Sequence, residues 1–329
     1  MSQNLYFPVR VFFMQYIKHR ELLSYKYLAQ FYNLSVIKKY MKRITRGMLL
    51  LFTTLLLIQC TDKNGETKTG SNTRKAMVKR DKTIVTYRFD STKNLIDTLK
   101  KNNEIARIVA AVNRTDYRHL INMDTIIVPN DLSKTVENYL PFPLQVPYLK
   151  DVDKIVYFSY PSQSFAAYEY GELVYTGQTN MGSKAHPTPQ QLYFTNWKAE
   201  ETVSTFNDEW ELRWNFNIEN KEGIGWHQYE LPGYPASHSC LRMTERDAKY
   251  MYEWADQWKL KGTDNVLAKG IPAIVFGSYD FDGAKPWLQT VSNPAALEIS
   301  TAAIEKETAA YLNEILKEQQ NRLKQNTAN

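Results

Sequence analysis

The chain has 329 residues, 23% charged and 43% hydrophobic, enough for a core and two modest domains. Its net charge of +6 is concentrated at one end: residues 1–60 hold nine Lys or Arg and one acidic residue, Glu21, leaving 32 basic against 34 acidic residues elsewhere. A phosphate-binding surface needs positive charge on the folded domain, so no nucleic-acid partner is indicated, and two cysteines, Cys60 and Cys240, are too few for a disulfide framework.

In chain order, Lys42, Arg43 and Arg46 precede an eleven-residue apolar run, Met48 to Ile58, which ends at Gln59-Cys60. The run is too short to span a bilayer but has the length of a signal-peptide core. Leu57-Ile58-Gln59-Cys60 resembles the lipobox of bacterial lipoproteins, with Gln59 where a small residue is usual. That resemblance implies a signal peptide over 41–60, acylation of Cys60 and a membrane-anchored protein of the cell envelope. Met41 sits where a start would give a signal peptide of ordinary length, so residues 1–40 are read as a non-native upstream extension. The polar tract 61–81 suits a flexible linker.

Residues 82–133 read as a small α+β domain: a strand over Thr83 to Phe89, helical stretches, and a second strand running Met123 to Pro129. Val112-Asn113-Arg114, Leu120 and the apolar strand ending in Pro129 resemble the closing half of a LysM peptidoglycan-binding repeat. The front half lacks the usual Gly-Asp. The alternative is a packing domain without glycan affinity. Pro141, Pro143 and Pro147 then make a stiff connector that marks a domain boundary.

Over 150–285 the apolar runs Lys154 to Ser159, Phe165 to Tyr170 and Leu173 to Gln178 predict strands, with a hairpin signal at Tyr170-Gly171-Glu172. An antiparallel, mainly β domain is expected. Within it, His227 is followed by a loop containing Pro232, Gly233, Tyr234 and Pro235, then by Ser237-His238-Ser239-Cys240-Leu241-Arg242. A free thiol is only a few per cent thiolate at neutral pH. An imidazole beside it can take its proton and pass it to a leaving amine. The Pro- and Gly-bearing loop is read as a tight return path that brings His227 to Cys240.

This stretch resembles the signature of the L,D-transpeptidase family (YkuD-type catalytic domain), with Ser239 in place of the family's Gly and a shorter loop. Gly182-Ser183-Lys184, His186-Pro187-Thr188-Pro189 and Phe194 resemble the family segment that precedes its active site, with Gln191 in place of a Gly. The resemblance covers roughly 154–282. It implies a β-sandwich with flanking helices, Cys240 as nucleophile, His227 as base and His238 beside them. Ser237, Ser239, Arg242 and Tyr234 are the expected substrate contacts, Arg242 through a substrate carboxylate. The implied substrates are peptidoglycan stem peptides, cross-linked through a cysteine acyl-enzyme. Hydrolysis by an L,D-carboxypeptidase or wall cysteine peptidase, or a non-catalytic wall-binding lipoprotein, are the alternatives. No cofactor is implied. Zinc is the rival use of His227, His238 and Cys240, but no C-x-x-C or H-E-x-x-H spacing accompanies them, and no Gly-rich phosphate loop is present.

Thr244 reads as the cap of a helix whose Ala248, Met251, Tyr252, Ala255 and Trp258 face the core. Trp197, Trp210, Trp214 and Trp226 read chiefly as core packing. The tail, 293–325, is expected to be one helix starting at Asn293-Pro294 with a loose apolar stripe of Leu297, Ile304, Tyr311, Ile315 and Leu323.

Overall fold

The computed structural model describes residues 82–204, 207 and 210–327, which belong to one compact unit. The expectations for 1–81, the acylation of Cys60 included, lie outside the described residues.

The first layer is small. Strand β1 (Tyr87–Ser91) pairs antiparallel with β2 (Thr125–Pro129), and helices α1 (Thr92–Lys101), α2 (Asn103–Val112) and α3 (Tyr117–Leu120) lie between them in sequence. The first strand starts at Tyr87 rather than Thr83; just before it, the Thr86 carbonyl accepts the Asn130 N–H beyond the end of the partner strand. Asn102 separates the two long helices and caps α2, its side chain accepting from the N–H groups of Glu104 and Ile105. Leu99, Val109, Leu120, Ile126 and Val128 form this layer's core. Asn113 is buried at the end of α2; its side chain donates to the carbonyls of Val109 and Ile127 and accepts the Ile127 N–H at 2.8 Å. One amide thereby satisfies three buried backbone groups and fixes helix to strand.

The proline-bearing connector packs against the strands that follow it. Leu140, Phe142 and Val146 are buried, and the Pro143 carbonyl accepts from the Tyr168 hydroxyl. It runs into a sandwich of two sheets. The five-stranded sheet has the order β5-β4-β3-β13-β6, built from β3 (Ile155–Ser159), β4 (Ser164–Glu169), β5 (Glu172–Gln178), β6 (Leu192–Phe194) and β13 (Pro272–Phe276). The four-stranded sheet has the order β10-β9-β8-β7, from β7 (Lys198–Val203), β8 (Glu211–Glu219), β9 (Ile224–Gln228) and β10 (Leu241–Met243). A separate hairpin joins β11 (Lys259–Lys261) to β12 (Asn265–Ala268).

Alternation along β3 explains its continuous apolar run. Val156 and Phe158 face the inter-sheet core with Phe216, Trp226, Leu241 and Met243, whereas Ile155 and Tyr157 face a second core on the other side. The β4–β5 hairpin turns at Tyr170 and Gly171, both with positive φ (50° and 80°), as a two-residue type I′ turn requires.

Three expectations are corrected. The sheets are not purely antiparallel: β13 runs parallel to β3, and β10 parallel to β9. A parallel pair cannot be closed by a tight return. Residues 229–240 therefore form a crossover, pinned on the small layer, where the Leu231 carbonyl accepts from the Thr115 hydroxyl and the Asp116 carboxylate accepts the Leu231 N–H. The helix capped by Thr244, α4 (Glu245–Trp254), ends before Trp258, whose N–H instead bonds the Asn196 carbonyl; Ala248 and Met251 do face the core. The tail is two helices, α5 (Thr301–Ala309) and α6 (Leu312–Thr327). The side chains of Asn293 and Ser300 both bond local N–H groups, but only Ser300 caps a helix; the turn at Asn293 is not propagated. Ile304 and Ile315 are buried on the outer face of the five-stranded sheet, while Leu323 is exposed.

Candidate active site

The parallel β9–β10 pair sets the geometry. Leu241 pairs with Trp226 and Arg242 with His227, so Cys240, just before the strand, stands level with Gly225. Side chains two apart on a strand share a face. His227 and Arg242 are therefore opposite one another, with Cys240 one pleat away on the same side. All three line one pocket, about 450 Å³ with its open mouth included, together with Trp210, His238 and Tyr229.

Cys240 is half-buried, and its thiol points to the Gly223 carbonyl at 3.8 Å. Burial raises its pKa above the ordinary thiol value, partly offset by the Gly225 N–H and the Arg242 charge. His227 is 3% exposed, and its Nδ1 lies 3.0 Å from the Gln228 carbonyl. A carbonyl only accepts, so Nδ1 carries the proton and Nε2 is left as the basic nitrogen. Burial lowers the His227 pKa to about 4; the Gln228 carbonyl opposes this and the Arg242 charge adds to it. The resting pair at neutral pH is thus a thiol and a neutral imidazole, not an ion pair.

The other expected site residues divide into cavity walls and loop supports. Arg242 reaches the cavity with its guanidinium 4.4 Å over the Tyr229 ring, its pKa drawn down by burial. Its backbone is fixed in both directions by Asn180, N–H to carbonyl and carbonyl to N–H. His238 stacks on His186 at 4.3 Å and tilts against Trp210 at 5.0 Å; burial and the neighbouring His186 lower its pKa. Ser237 is fully buried and its hydroxyl donates to the Cys240 carbonyl, which commits it to shaping the turn. Tyr234 is 51% exposed with Lys285 5.7 Å over its ring, and it does not line the cysteine cavity.

Ser239, where the resembled signature has Gly, adopts φ 73° in the left-handed region. Its hydroxyl donates to the carbonyls of His186 and Pro187, so the side chain turns toward that segment. Thr188 completes the contact: its hydroxyl accepts the Gly182 N–H and donates to the Ser239 carbonyl, both at 2.9 Å. The Gly182–Pro189 segment and the cysteine turn are thereby clasped together. Gly182 is required there, since a Cβ would sit 2.2 Å from the His186 carbonyl.

Sequence reasoning passed over Tyr229, Thr188 as a clasp, Asn180 and the Asp116 anchor. Tyr229 carried a usable signal, lying two residues beyond His227 and so on the same strand face. Asn180 and Asp116 carried none, because their roles come from contacts across the fold. Of the four tryptophans, Trp226 is core, Trp214 packs at its edge and Trp210 lines the site. Among the described residues no cluster of three or more His, Cys, Asp or Glu is arranged to hold a metal ion.

Residues 153–275 match the family model of the L,D-transpeptidase catalytic domain. Similar solved structures include an L,D-transpeptidase from Stackebrandtia nassauensis, at 20% identity and a TM-score of 0.33, covering 39% of this chain and 57% of that one. An L,D-transpeptidase from Mycobacterium smegmatis gives 16% identity and a TM-score of 0.31, covering 38% and 59%. One from Mycobacterium tuberculosis gives 18% and 0.32, covering 38% and 58%. The match thus spans less than two thirds of these relatives. Comparison with curated proteins gives no match. The family model supports an L,D-transpeptidase catalytic domain over 153–275 of this chain.

Proposed function

We propose that the chain is an L,D-transpeptidase that cross-links peptidoglycan stem peptides through an acyl-enzyme on Cys240. One observation carries the reading. Within the segment matched by the family model, the thiol and a buried imidazole of fixed tautomer line one cavity beside an arginine without a carboxylate in salt-bridge reach among the described residues.

As Sγ attacks the carbonyl carbon of the bond between an L-centre and a D-residue, the thiol proton passes to Nε2 of His227. The C–N bond breaks, the leaving amine takes that proton, and a thioester remains. An amine from a second stem then attacks, the C–S bond breaks, and the proton lost by the amine returns to sulfur by way of His227. The Ser239 and Cys240 N–H groups, which donate to no other backbone carbonyl among the described residues, are suited to hold the oxyanion. A left-handed residue in such a turn lets successive N–H groups converge on an anion. Arg242 is placed to bind a substrate carboxylate. The outward turn of the Ser239 side chain leaves the oxyanion position uncrowded, which favours an enzyme over a wall-binding protein.

On the same reading, Cys60 carries a lipid anchor in the cell envelope, and the strand–helix–strand layer of 87–129 serves as a LysM-like wall contact. Intact-mass analysis with a carbapenem tests the central claim: one adduct is expected on the parent chain and none on Cys240→Ala. Equal labelling of both, or none on the parent, rejects it.

A further inference from the structure

One residue in the four-stranded sheet departs from extended backbone. Trp214, inside β8, has φ 54° in the left-handed region, which a bulky side chain adopts only where its surroundings hold it there. Arg213 pairs with Gln228 and Phe216 with Trp226, so the two residues Trp214 and Asn215 stand opposite the single residue His227. That is a β-bulge, directly across from the proposed base. We propose that this bulge builds the wall of the catalytic pocket, which makes Trp214 a positioning residue for the thiol–imidazole pair. The proposal rests on the transpeptidase reading above.

The register shows what the bulge does. Residues directly opposite in an antiparallel pair share a face, as do residues two apart on one strand. Gln228 and Trp226 are two apart, so Arg213 and Phe216 share a face although they are three apart. The extra residue thus exchanges the two faces of β8. Beyond it, Phe216 and Ile218 point into the inter-sheet core. Before it, Leu212, which an unbroken strand would turn the same way, lines the pocket with His227 and Cys240, and so does Trp210. Without the bulge, Glu211 and Arg213 would take these places. A carboxylate and a second guanidinium would then stand beside the pair, where the fold now puts an indole and an isobutyl group.

An apolar wall has a chemical consequence. Leu212 and His227 are both buried. With water kept from the ring, the imidazole stays neutral and ready to accept the thiol proton. The Trp214 side chain makes no hydrogen bond that would hold its own conformation. Its ring packs against Tyr252 and below the Lys249 ammonium, both from α4, and its Nε1–H is buried without an acceptor among the described residues. One residue across from the base thus combines a disfavoured backbone with an unanswered donor, a combination found where the surrounding fold imposes it.

The test separates backbone from packing. Trp214→Gly, Trp214→Asn and Trp214→Val all remove the indole, but glycine adopts positive φ freely, asparagine tolerates it and β-branched valine resists it. On the full chain, the glycine and asparagine variants should be acylated by a carbapenem at least ten-fold faster than the valine variant. By NMR, His227 in the valine variant should titrate at least one pKa unit above His227 in the glycine variant, because its ring regains water. The other titratable groups facing the pocket, Glu222, Tyr229, His238, Cys240 and Arg242, lie outside β8 and are common to all the variants. If Trp214→Val is unfolded by circular dichroism, Trp214→Ala takes its place and the same order against glycine is expected. Valine fills more of the vacated space than glycine, so a valine variant as fast as the glycine variant or faster overturns the proposal. A His227 titration indifferent to the substitution overturns it too. A parent chain that is never acylated, with the His227 titrations in the expected order, instead overturns the transpeptidase reading and leaves the role of the bulge standing.

Discussion

Arg242 stands directly opposite His227 across the parallel β9–β10 pair, so one guanidinium charge acts on both members of the candidate thiol–imidazole pair. It lowers the thiol pKa by favouring the thiolate and lowers the imidazole pKa by opposing the imidazolium. Burial is the larger influence on each, raising the one and lowering the other. Arg242→Gln should therefore move both titrations upward. The pH profile of iodoacetamide labelling at Cys240 reads the thiol, and the imidazole signals of His227 in NMR read the base. A downward shift of either would mean that Arg242 does not set this field.

The Thr188 clasp predicts a loss of rate disproportionate to any loss of fold. Thr188→Val keeps the shape but removes the hydroxyl that serves the Gly182 N–H and the Ser239 carbonyl. The buried Gly182 N–H is left unsatisfied, a cost of about 1–3 kcal/mol, and the partly buried Ser239 carbonyl loses its donor. The Ser239–Cys240 peptide, which faces the proposed oxyanion, loses its restraint. Carbapenem acylation of Cys240 should slow at least ten-fold in protein that remains folded by circular dichroism. An unchanged acylation rate would reduce the clasp to a stabilising contact.

Ser239 separates strain from hydrogen bonding. A non-glycine residue held at left-handed φ costs about 1–2 kcal/mol, and its hydroxyl answers two carbonyls. Ser239→Ala keeps the strain and loses the bonds, so it should destabilise by about 1 kcal/mol. Ser239→Gly loses the bonds but relieves the strain, so it should lie above the alanine variant by about 1 kcal/mol after allowance for glycine's freer unfolded chain. Urea midpoints order the three. A glycine variant less stable than the alanine variant would show that the left-handed conformation is not strained.

Much of this was legible before any coordinates. The strand runs of 154–178 were readable because β3 is buried on both faces and β4 nearly so, which writes an unbroken apolar signal. Cys240 and His227 stood out because a thiol, two histidines and an arginine within sixteen residues are chemically conspicuous. Strand direction was not legible: nothing local in Tyr229 to Ser239 says that its Leu231 is held by Thr115 and Asp116, more than a hundred residues earlier, so a crossover read as a tight return. The clasp escaped for the same reason, since Thr188 and Ser239 meet only in the folded chain. The tail was misread because Asn293-Pro294 carries the same start signal as Ser300, and which of them propagates depends on Ile304 and Ile315 finding the sheet.

The buried imidazole also fixes how stability responds to acid. The folded pKa of His227 is about 4, below the ordinary value of 6.5 that the unfolded chain recovers. As pH falls through 6.5 the unfolded chain binds a proton that the folded one refuses, so stability present above 6.5 is lost progressively down to about 4. With one pKa unit equal to 1.36 kcal/mol, the loss is on the order of 3 kcal/mol. Asp247 works against this at the acid end: its pKa is raised by burial, so the folded chain takes up its proton first as pH falls, and the net slope of the parent understates the histidine. Comparison with His227→Gln cancels the Asp247 contribution. Urea unfolding of both proteins from pH 7.5 to 4 should show the parent losing the larger amount, with the difference opening below 6.5. Parallel curves would place the His227 ring in contact with water.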